Sequence, residues 1–150
     1  MKLSGWAKHP KINTKLHRPD NIKELLSLVS SGDLIARGNG RSYGDSSVSL
    51  GNTIDMRSFN RLISFDENSG RLVAESGVIL GDVIKTFFPK GWFPAVVPGT
   101  KFVTLGGMVA ADVHGKNHHL DGSFGSHIDW LDIVCADGKL RRCSPTSDPE

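Results

Sequence analysis

The chain has 150 residues, 38% of them hydrophobic, and a formal net charge of +2, which fits about one globular domain with an ordinary core. Acids and bases are mixed and no basic run is interleaved with aromatics, so no nucleic-acid partner is expected. No apolar run approaches membrane-spanning length and Met1-Lys2-Leu3-Ser4-Gly5-Trp6 lacks a secretory apolar core, so no transmembrane segment is expected, the compartment is read as cytoplasmic, and Cys135 and Cys143 are read as reduced.

Pro19-Asp20-Asn21 opens a helix: Asp20 or Asn21 can cap it, Glu24 stands where a capping-box acid belongs, and Ile22, Leu25, Leu26 and Val29 share a face. Gly32 closes it, and Leu34-Ile35-Ala36 reads as a short buried strand running into a glycine loop. Thr53-Ile54-Asp55-Met56 reads as a further strand. Residues 61–65 and 71–75 flank the turn signal Asp66-Glu67-Asn68-Ser69-Gly70 and read as a hairpin. Leu80, Val83, Ile84, Phe87 and Phe88 predict a second amphipathic helix, ended by Pro89-Lys90-Gly91. Phe93-Pro94-Ala95-Val96-Val97 reads as extended, and Pro98-Gly99-Thr100 turns the chain. Residues 128–134 and 139–143 predict a second hairpin across Ala136-Asp137-Gly138, with Arg141-Arg142 as a solvated strand end. The class is α+β, without the regular βαβ alternation of a Rossmann sheet. The chain then runs into Ser144-Pro145-Thr146-Ser147-Asp148-Pro149-Glu150, which reads either as a polar tail or as the interior of a longer protein.

Two glycine loops carry the chemistry. In the first, Arg37-Gly38-Asn39-Gly40-Arg41-Ser42-Tyr43-Gly44-Asp45-Ser46 follows a strand. Its glycines permit sharp turns and let backbone N–H groups approach an anion. Arg37 and Arg41 can add charge-assisted bonds, and Ser42 and Ser46 can donate hydroxyls. The loop lacks the Gly-Lys-Ser/Thr of a phosphate-binding P-loop and the spacing of the dinucleotide fingerprint, and a plain glycine turn between strands is the competing reading. In the second, Thr104 is an expected N-cap for Leu105-Gly106-Gly107-Met108-Val109-Ala110-Ala111, aiming the free N–H groups of a first helical turn at a negative group. A short buried helix packed by small residues is compatible with that reading.

The run Asp112-Val113-His114-Gly115-Lys116-Asn117-His118-His119 admits three readings. His114 and Lys116 line a reaction pocket and the later histidines are structural; or His114, His118 and His119, with Asp112 or Asp121, bind a metal; or all are solvent-exposed loop residues. The metal reading suffers from Gly115 interrupting the helical spacing of His114 and His118, and from the lack of a glutamate base. His9, His17 and His127 stand alone and read as surface or core-edge residues.

The order of these segments, Ala36 to Ser46, then Pro98-Gly99-Thr100, then Thr104 to Gly107, then His114-Gly115-Lys116-Asn117-His118-His119, resembles FAD-linked oxidases of the vanillyl-alcohol oxidase type, with a PCMH-type FAD-binding domain. Within them it looks most like the branch of decaprenylphosphoryl-β-D-ribose 2′-oxidases, and the likeness runs from about Trp6 to Pro145. The resemblance implies a fold of two α+β subdomains with FAD between them. It implies that Ala36, Arg37, Gly38, Asn39, Gly40, Arg41, Ser42, Tyr43, Gly44, Asp45 and Ser46 wrap the pyrophosphate. Gly99, Thr104, Leu105, Gly106, Gly107, Ala111, Asp112, Val113 and His114 would complete this half of the site. His114 and Lys116 would face the flavin and the substrate, with hydride passing from a secondary sugar hydroxyl to flavin N5. Some relatives hold FAD covalently through a histidine in the first loop; Arg41-Ser42-Tyr43 contains none, so non-covalent FAD is expected.

The resemblance further implies a sugar or polyprenyl-phosphate sugar substrate, a short-chain reductase partner, a place in cell wall polysaccharide biosynthesis, and a cytoplasmic position peripheral to the membrane. Relatives run to several hundred residues, so residues 1–150 are read as the N-terminal part of the FAD domain, with the second subdomain incomplete and the substrate domain absent. Two rivals remain: an alditol or sugar-lactone oxidase of the same superfamily, and a non-catalytic nucleotide- or phosphate-binding module.

Overall fold

The structure, a computed structural model, describes residues 1–147. Its first half is built on a parallel three-stranded sheet. β1 (Lys2–Leu3) and β2 (Ile12–Asn13) pair as a short antiparallel ribbon. β3 (Lys15–His17), β4 (Leu34–Arg37) and β5 (Asn52–Asp55) then form the sheet in the order β3-β5-β4. α1 (Ile22–Ser30) carries the chain from β3 to β4. Asn21 is its N-cap, its side chain accepting from the Glu24 N–H at 2.9 Å. The Glu24 carboxylate reaches back to the N–H of Asp20, one residue before the cap, at 3.3 Å, so the capping box is one residue wider than its usual form. Gly32, with φ 118°, releases the chain from the helix end.

The class is α+β, yet this sheet is a local parallel βαβ arrangement. Nothing in the sequence announces it, because β3 is three residues long and too short to show a period. β5 is the central strand, and its Thr53, Ile54 and Asp55 are all buried; a strand covered on both faces loses the alternation of buried and exposed residues. Met56 leaves the strand for a 3₁₀ turn, Met56–Ser58. Residues 34–36 do form a strand, but not a buried one: β4 lies at the sheet edge, with Leu34 and Ile35 half-buried and Ala36 exposed.

Asp55 closes β5 and binds Arg57 through both carboxylate oxygens, from Nε at 2.8 Å and Nη2 at 2.6 Å, with Arg18 Nε at 3.5 Å. Arg57 holds the Asp55 carboxyl below the usual carboxylate range, against the opposing effect of burial. Asp55→Asn leaves two half-exposed arginines without their partner and is expected to cost roughly 2 kcal/mol at pH 7. The folded carboxyl is the stronger acid, so its contribution is complete above the unfolded value near 3.9 and is lost as pH falls through the lower folded value. Urea unfolding at pH 7 and pH 3 checks this: the gap between wild type and variant should shrink toward the acid side, and an unchanged gap would remove the ion pair from the stability account.

The second half packs helices on hairpins. β6 (Leu62–Phe65) and β7 (Leu72–Ala74) pair antiparallel across the expected turn. α2 (Leu80–Phe87) lays Val83 and Phe87 on them, forming with Val78 a core that Phe65, Leu72, Trp92 and Leu105 enclose. Phe65 stacks at 4.2 Å on Phe87 and meets Trp92 edge-on at 5.8 Å. Each fully buried side chain of this size contributes about 1.5–3 kcal/mol. Phe88 departs from the expected helical face: the helix tightens into a 3₁₀ turn, Phe88–Lys90, and the Phe88 ring points out against Phe93. Gly91, with φ 84°, ends that turn. Residues 93–97 join no sheet among the described residues, although Val96 is buried.

α3 (Leu105–Ala110) and α4 (His118–Asp121) follow, and β8 (Leu131–Val134) and β9 (Leu140–Cys143) form the last hairpin. β8 starts at Leu131, so residues 128–130 lie before the strand expected to include them. There Asp129 binds Arg71 at 2.9 Å, and Trp130 carries the Arg142 guanidinium on its ring at 3.9 Å. Arg142 and Arg141 are paired with Asp132 and Asp137, so this strand end is held by ion pairs as well as by solvent. Cys135 and Cys143 are free thiols at opposite ends of the hairpin. Among the described residues no helix is long and apolar enough to cross a membrane. Of residues 144–150, the last three lie outside the described residues.

Candidate functional site

The two glycine loops meet at one junction. α2 and α3 exchange backbone bonds at their starts around an antiparallel bridge between Ile79 and Thr104. The N–H groups of Leu80 and Gly81 donate to Val103 O and Lys101 O, while those of Leu105 and Gly106 donate to Val78 O and Ser76 O, all at 2.8–2.9 Å. Thr104 is the N-cap of α3, its Oγ1 accepting from Gly107 N–H at 3.3 Å. The expectation of free N–H groups aimed at an anion is therefore corrected. The first donors of α3 are bonded inside the protein, to carbonyls almost thirty residues away in sequence that a capping pattern cannot reveal.

The adjacent glycines do different work. A side chain on Gly106 would press on Ser76, with its Cβ 2.8 Å from Ser76 Cβ, so this glycine serves close packing. Gly107 is exposed, and a Cβ there would meet only Thr104 Oγ1, at 3.1 Å. Gly99 has nothing within 4 Å of such a Cβ. Gly107 and Gly99 thus present bare backbone to the outside, while Leu105 packs on the α2 core and Thr104 is buried.

The first loop leaves β4 at Arg37 and lies against that cap: a side chain on Gly38 would overlap Thr104 Oγ1. Asn39 Nδ2 donates to Phe102 O at 2.8 Å, a second tie between the loops. Gly40, buried, and Gly44 take positive φ of 62° and 57° and turn the backbone. Among the described residues, the backbone N–H groups of residues 39–45 have no hydrogen-bond partner. This is a stretch of unsatisfied donors on a glycine-turned backbone, the arrangement that suits an anion.

The arginine and serine side chains of the loop are occupied locally. Arg37 donates from Nη2 to Ser4 O at 2.8 Å and from Nη1 to Ser47 Oγ at 3.2 Å, so it braces the loop and does not extend toward a ligand. Burial lowers its pKa below the ordinary guanidinium value, the nearby Asp55 carboxylate opposing that effect. Arg41 donates from Nη1 to Asn39 O at 3.1 Å. Ser42 Oγ lies 2.8 Å from Ser47 Oγ, and Ser46 Oγ donates to Tyr43 O at 3.1 Å. Tyr43 is 79% exposed, and Ala36, Gly44, Asp45 and Ser46 are exposed beside it.

The histidine run leaves α3 through Ala111, the C-cap, and Asp112, whose φ of 38° turns the chain. The Ser123 hydroxyl and then the Gly125 N–H, at 2.8 Å, hold the Asp112 carboxyl below the usual range. Val113 is fixed at both backbone groups, donating to Met108 O and accepting from Phe124 N–H. His114 bridges to Ser123. Beyond it opens a cleft of about 580 Å³ lined by Val97, Pro98, Gly99, His114, Gly115, Lys116 and His118. The structure thus brings His114 and Lys116 together with Gly99 in one wall.

His118, which the sequence reads as structural, as a metal ligand or as an exposed loop residue, also lines this cleft. Its ring is 5.4 Å from that of His114, and its Nδ1 lies 3.1 Å from Gly115 O, so a neutral His118 donating there turns its other nitrogen into an acceptor. Asn117 holds the cleft wall in place, donating to Ala95 O at 3.0 Å and to the Asp121 carboxylate at 2.6 Å. Among the described residues no group of three or more His, Cys, Asp or Glu side chains is placed to hold a metal ion. His127 Nε2 donates to Asp121 O and His17 Nε2 donates to Asn52 Oδ1, both at the edge of their elements.

Residues 15–144 match the family described as FAD binding domain. The chain is 36% identical over 151 aligned residues, 96% of its length, to decaprenylphosphoryl-beta-D-ribose oxidase of Mycolicibacterium smegmatis, covering 33% of that protein. It is 23% identical to L-gulonolactone oxidase of Bos taurus, over 100% of the chain and 35% of the relative. A putative D-arabinono-1,4-lactone oxidase of Neurospora crassa is 23% identical over 89% of the chain and 25% of its own length. The chain spans about a third of the length of the first two of these relatives. The match over residues 15–144 and the 36% identity along nearly the whole chain place it in the FAD-binding domain family, with FAD as its cofactor.

Proposed function

We propose that this chain holds FAD non-covalently through the two joined loops and belongs to an enzyme that oxidises a secondary alcohol on a polyprenyl-phosphate pentose. The observation that carries the reading is the junction of Gly38 with Thr104, which sets the open amides of residues 39–45 beside the bare backbone of Gly107. Residues 36–46 then cradle the pyrophosphate with their amides, and Gly99, residues 104–107 and residues 111–114 complete this half of the site. When bound, FAD supplies the hydride acceptor. His114 and Lys116, in the wall of the 580 Å³ cleft, orient the substrate hydroxyl, and Lys116 places a cation where negative charge develops. The 36% identity to an enzyme named for decaprenylphosphoryl-ribose supports the substrate class. On this reading the chain is the N-terminal part of a PCMH-type domain whose second subdomain is completed, and whose substrate domain lies, elsewhere in the protein. The enzyme works in the cytoplasm at the membrane surface where its prenyl substrate resides, and a short-chain reductase consumes the ketone it forms.

A sugar-lactone oxidase is the second reading, favoured by the likeness to L-gulonolactone oxidase along the whole chain. Turnover of the whole enzyme on prenyl-phosphate pentoses against lactones separates the two: turnover on lactones alone would overturn the first. In the same assay Lys116→Ala is expected to cut turnover about tenfold while FAD affinity stays within about threefold, because a positioned cation acts on the reacting centre and not on the pyrophosphate. Unchanged turnover would remove Lys116 from the chemistry.

A further inference from the structure

We infer that Trp6, Arg41 and Phe102 form a clamp that fixes the first glycine loop in the conformation presenting its amides, making them positioning residues for the anionic cofactor; this rests on the FAD reading above. The Arg41 guanidinium carbon lies 5.3 Å from the centroid of the Trp6 ring and 5.7 Å from that of Phe102. Both distances are within the range of about 6 Å over which a ring face attracts a cation. Arg41 Nε is buried without a hydrogen-bond partner. Such a nitrogen is costly unless something replaces water, and here two aromatic rings flank the group.

The clamp is tied to the backbone at every side. Arg41 Nη1 closes the turn at Gly40 by donating to Asn39 O. The Trp6 N–H donates to Ser42 O at 2.8 Å, and Gly5 lies so close to the carbonyls of Ser42 and Gly44 that a Cβ would not fit. Asn39 Nδ2 donates to Phe102 O, beside the second ring. Three segments distant in sequence are thus fastened around one guanidinium. Trp6 is 52% exposed and Phe102 is 49% exposed, so burial in a core does not explain two large rings at these positions. A loop with free amides has no internal ladder to hold its shape; the clamp supplies that rigidity from outside, and preorganised donors bind an anion without an ordering cost.

The test uses Trp6→Leu and Phe102→Leu, each removing one ring face from a half-exposed site, with Trp6→Phe as the variant that keeps a π face. Trypsin cleavage after Arg41 without ligand and FAD affinity by flavin fluorescence are measured alongside thermal unfolding. Each leucine variant is expected to speed cleavage after Arg41 about tenfold and weaken FAD about tenfold, the size of a desolvated cation–π contact. Cleavage after Lys139 and the unfolding midpoint should stay at wild-type values, and Trp6→Phe should recover both properties. The double leucine variant should lose less than the product of the single losses, since both rings share one partner. Wild-type cleavage after Arg41, or faster cleavage with wild-type FAD affinity, would overturn the clamp as a positioning device. If wild type itself binds no FAD, the FAD reading falls, and cleavage after Arg41 still decides whether the clamp fixes the loop.

Discussion

Gly107→Val is expected to abolish FAD retention while the protein stays folded. Gly107 lies in the first turn of α3, exposed, and an added Cβ meets only Thr104 Oγ1, at 3.1 Å. The cap must give by a few tenths of an ångström, and valine has a better helix propensity than glycine. The fold therefore tolerates the isopropyl group, and the thermal midpoint should stay within about 5 °C of wild type. The same group covers the bare backbone between the loops, where the proposed pyrophosphate lies. Binding should weaken by about a hundredfold or more, the equivalent of roughly 3 kcal/mol. A flavin fluorescence titration beside a melting curve reads both quantities, and full flavin affinity in the variant would take Gly107 out of the site. Gly106→Val provides the contrast: its side chain would meet Ser76, and the protein itself should fail.

Gly38→Ala is expected to act in the opposite way, by breaking the junction that brings the loops together. The new Cβ would overlap Thr104 Oγ1 and lie 3.0–3.1 Å from Thr104 Cγ2 and Cβ. Thr104 cannot simply swing aside, because it is 3% exposed and its Oγ1 caps α3 through Gly107 N–H. Overpacking together with loss of the cap should cost roughly 3 kcal/mol, and FAD binding should fall with it. Adding Thr104→Ala removes the obstructing atoms. The double variant should then be more stable than the sum of the single losses predicts, by about 1 kcal/mol or more. Urea unfolding of the four proteins gives that cycle; strictly additive losses would show that Gly38 and Thr104 do not meet as described.

What could be read from the sequence was local. Asn21 with Glu24, Gly70 in its hairpin turn, Gly91 after α2 and Thr104 before α3 each solve a problem for their own neighbours, so the residue type gives the position. The families of glycines and histidines were visible for the same reason, and His114 and Lys116 do share a cleft. Long-range partners were not visible. The donors of α3 end on Ser76 and Val78, Arg37 turns back to Ser4 and Ser47, and β3 and β4 meet only through β5. Phe88 shows the limit of periodicity: one tightened turn at Pro89 rotates it off the face that its spacing assigned. Trp6 and Phe102 carried no signal because their common partner, Arg41, is thirty-five or more residues from either in sequence.

On the proposed function these loops hold FAD without a covalent bond. It is tested most directly by the visible absorption spectrum of the purified protein reconstituted with FAD, freed of unbound flavin and then precipitated with acid. Flavin bands should travel with the protein before precipitation and pass wholly into the supernatant after it. Absence of bound flavin before precipitation, or flavin remaining in the pellet, would contradict it.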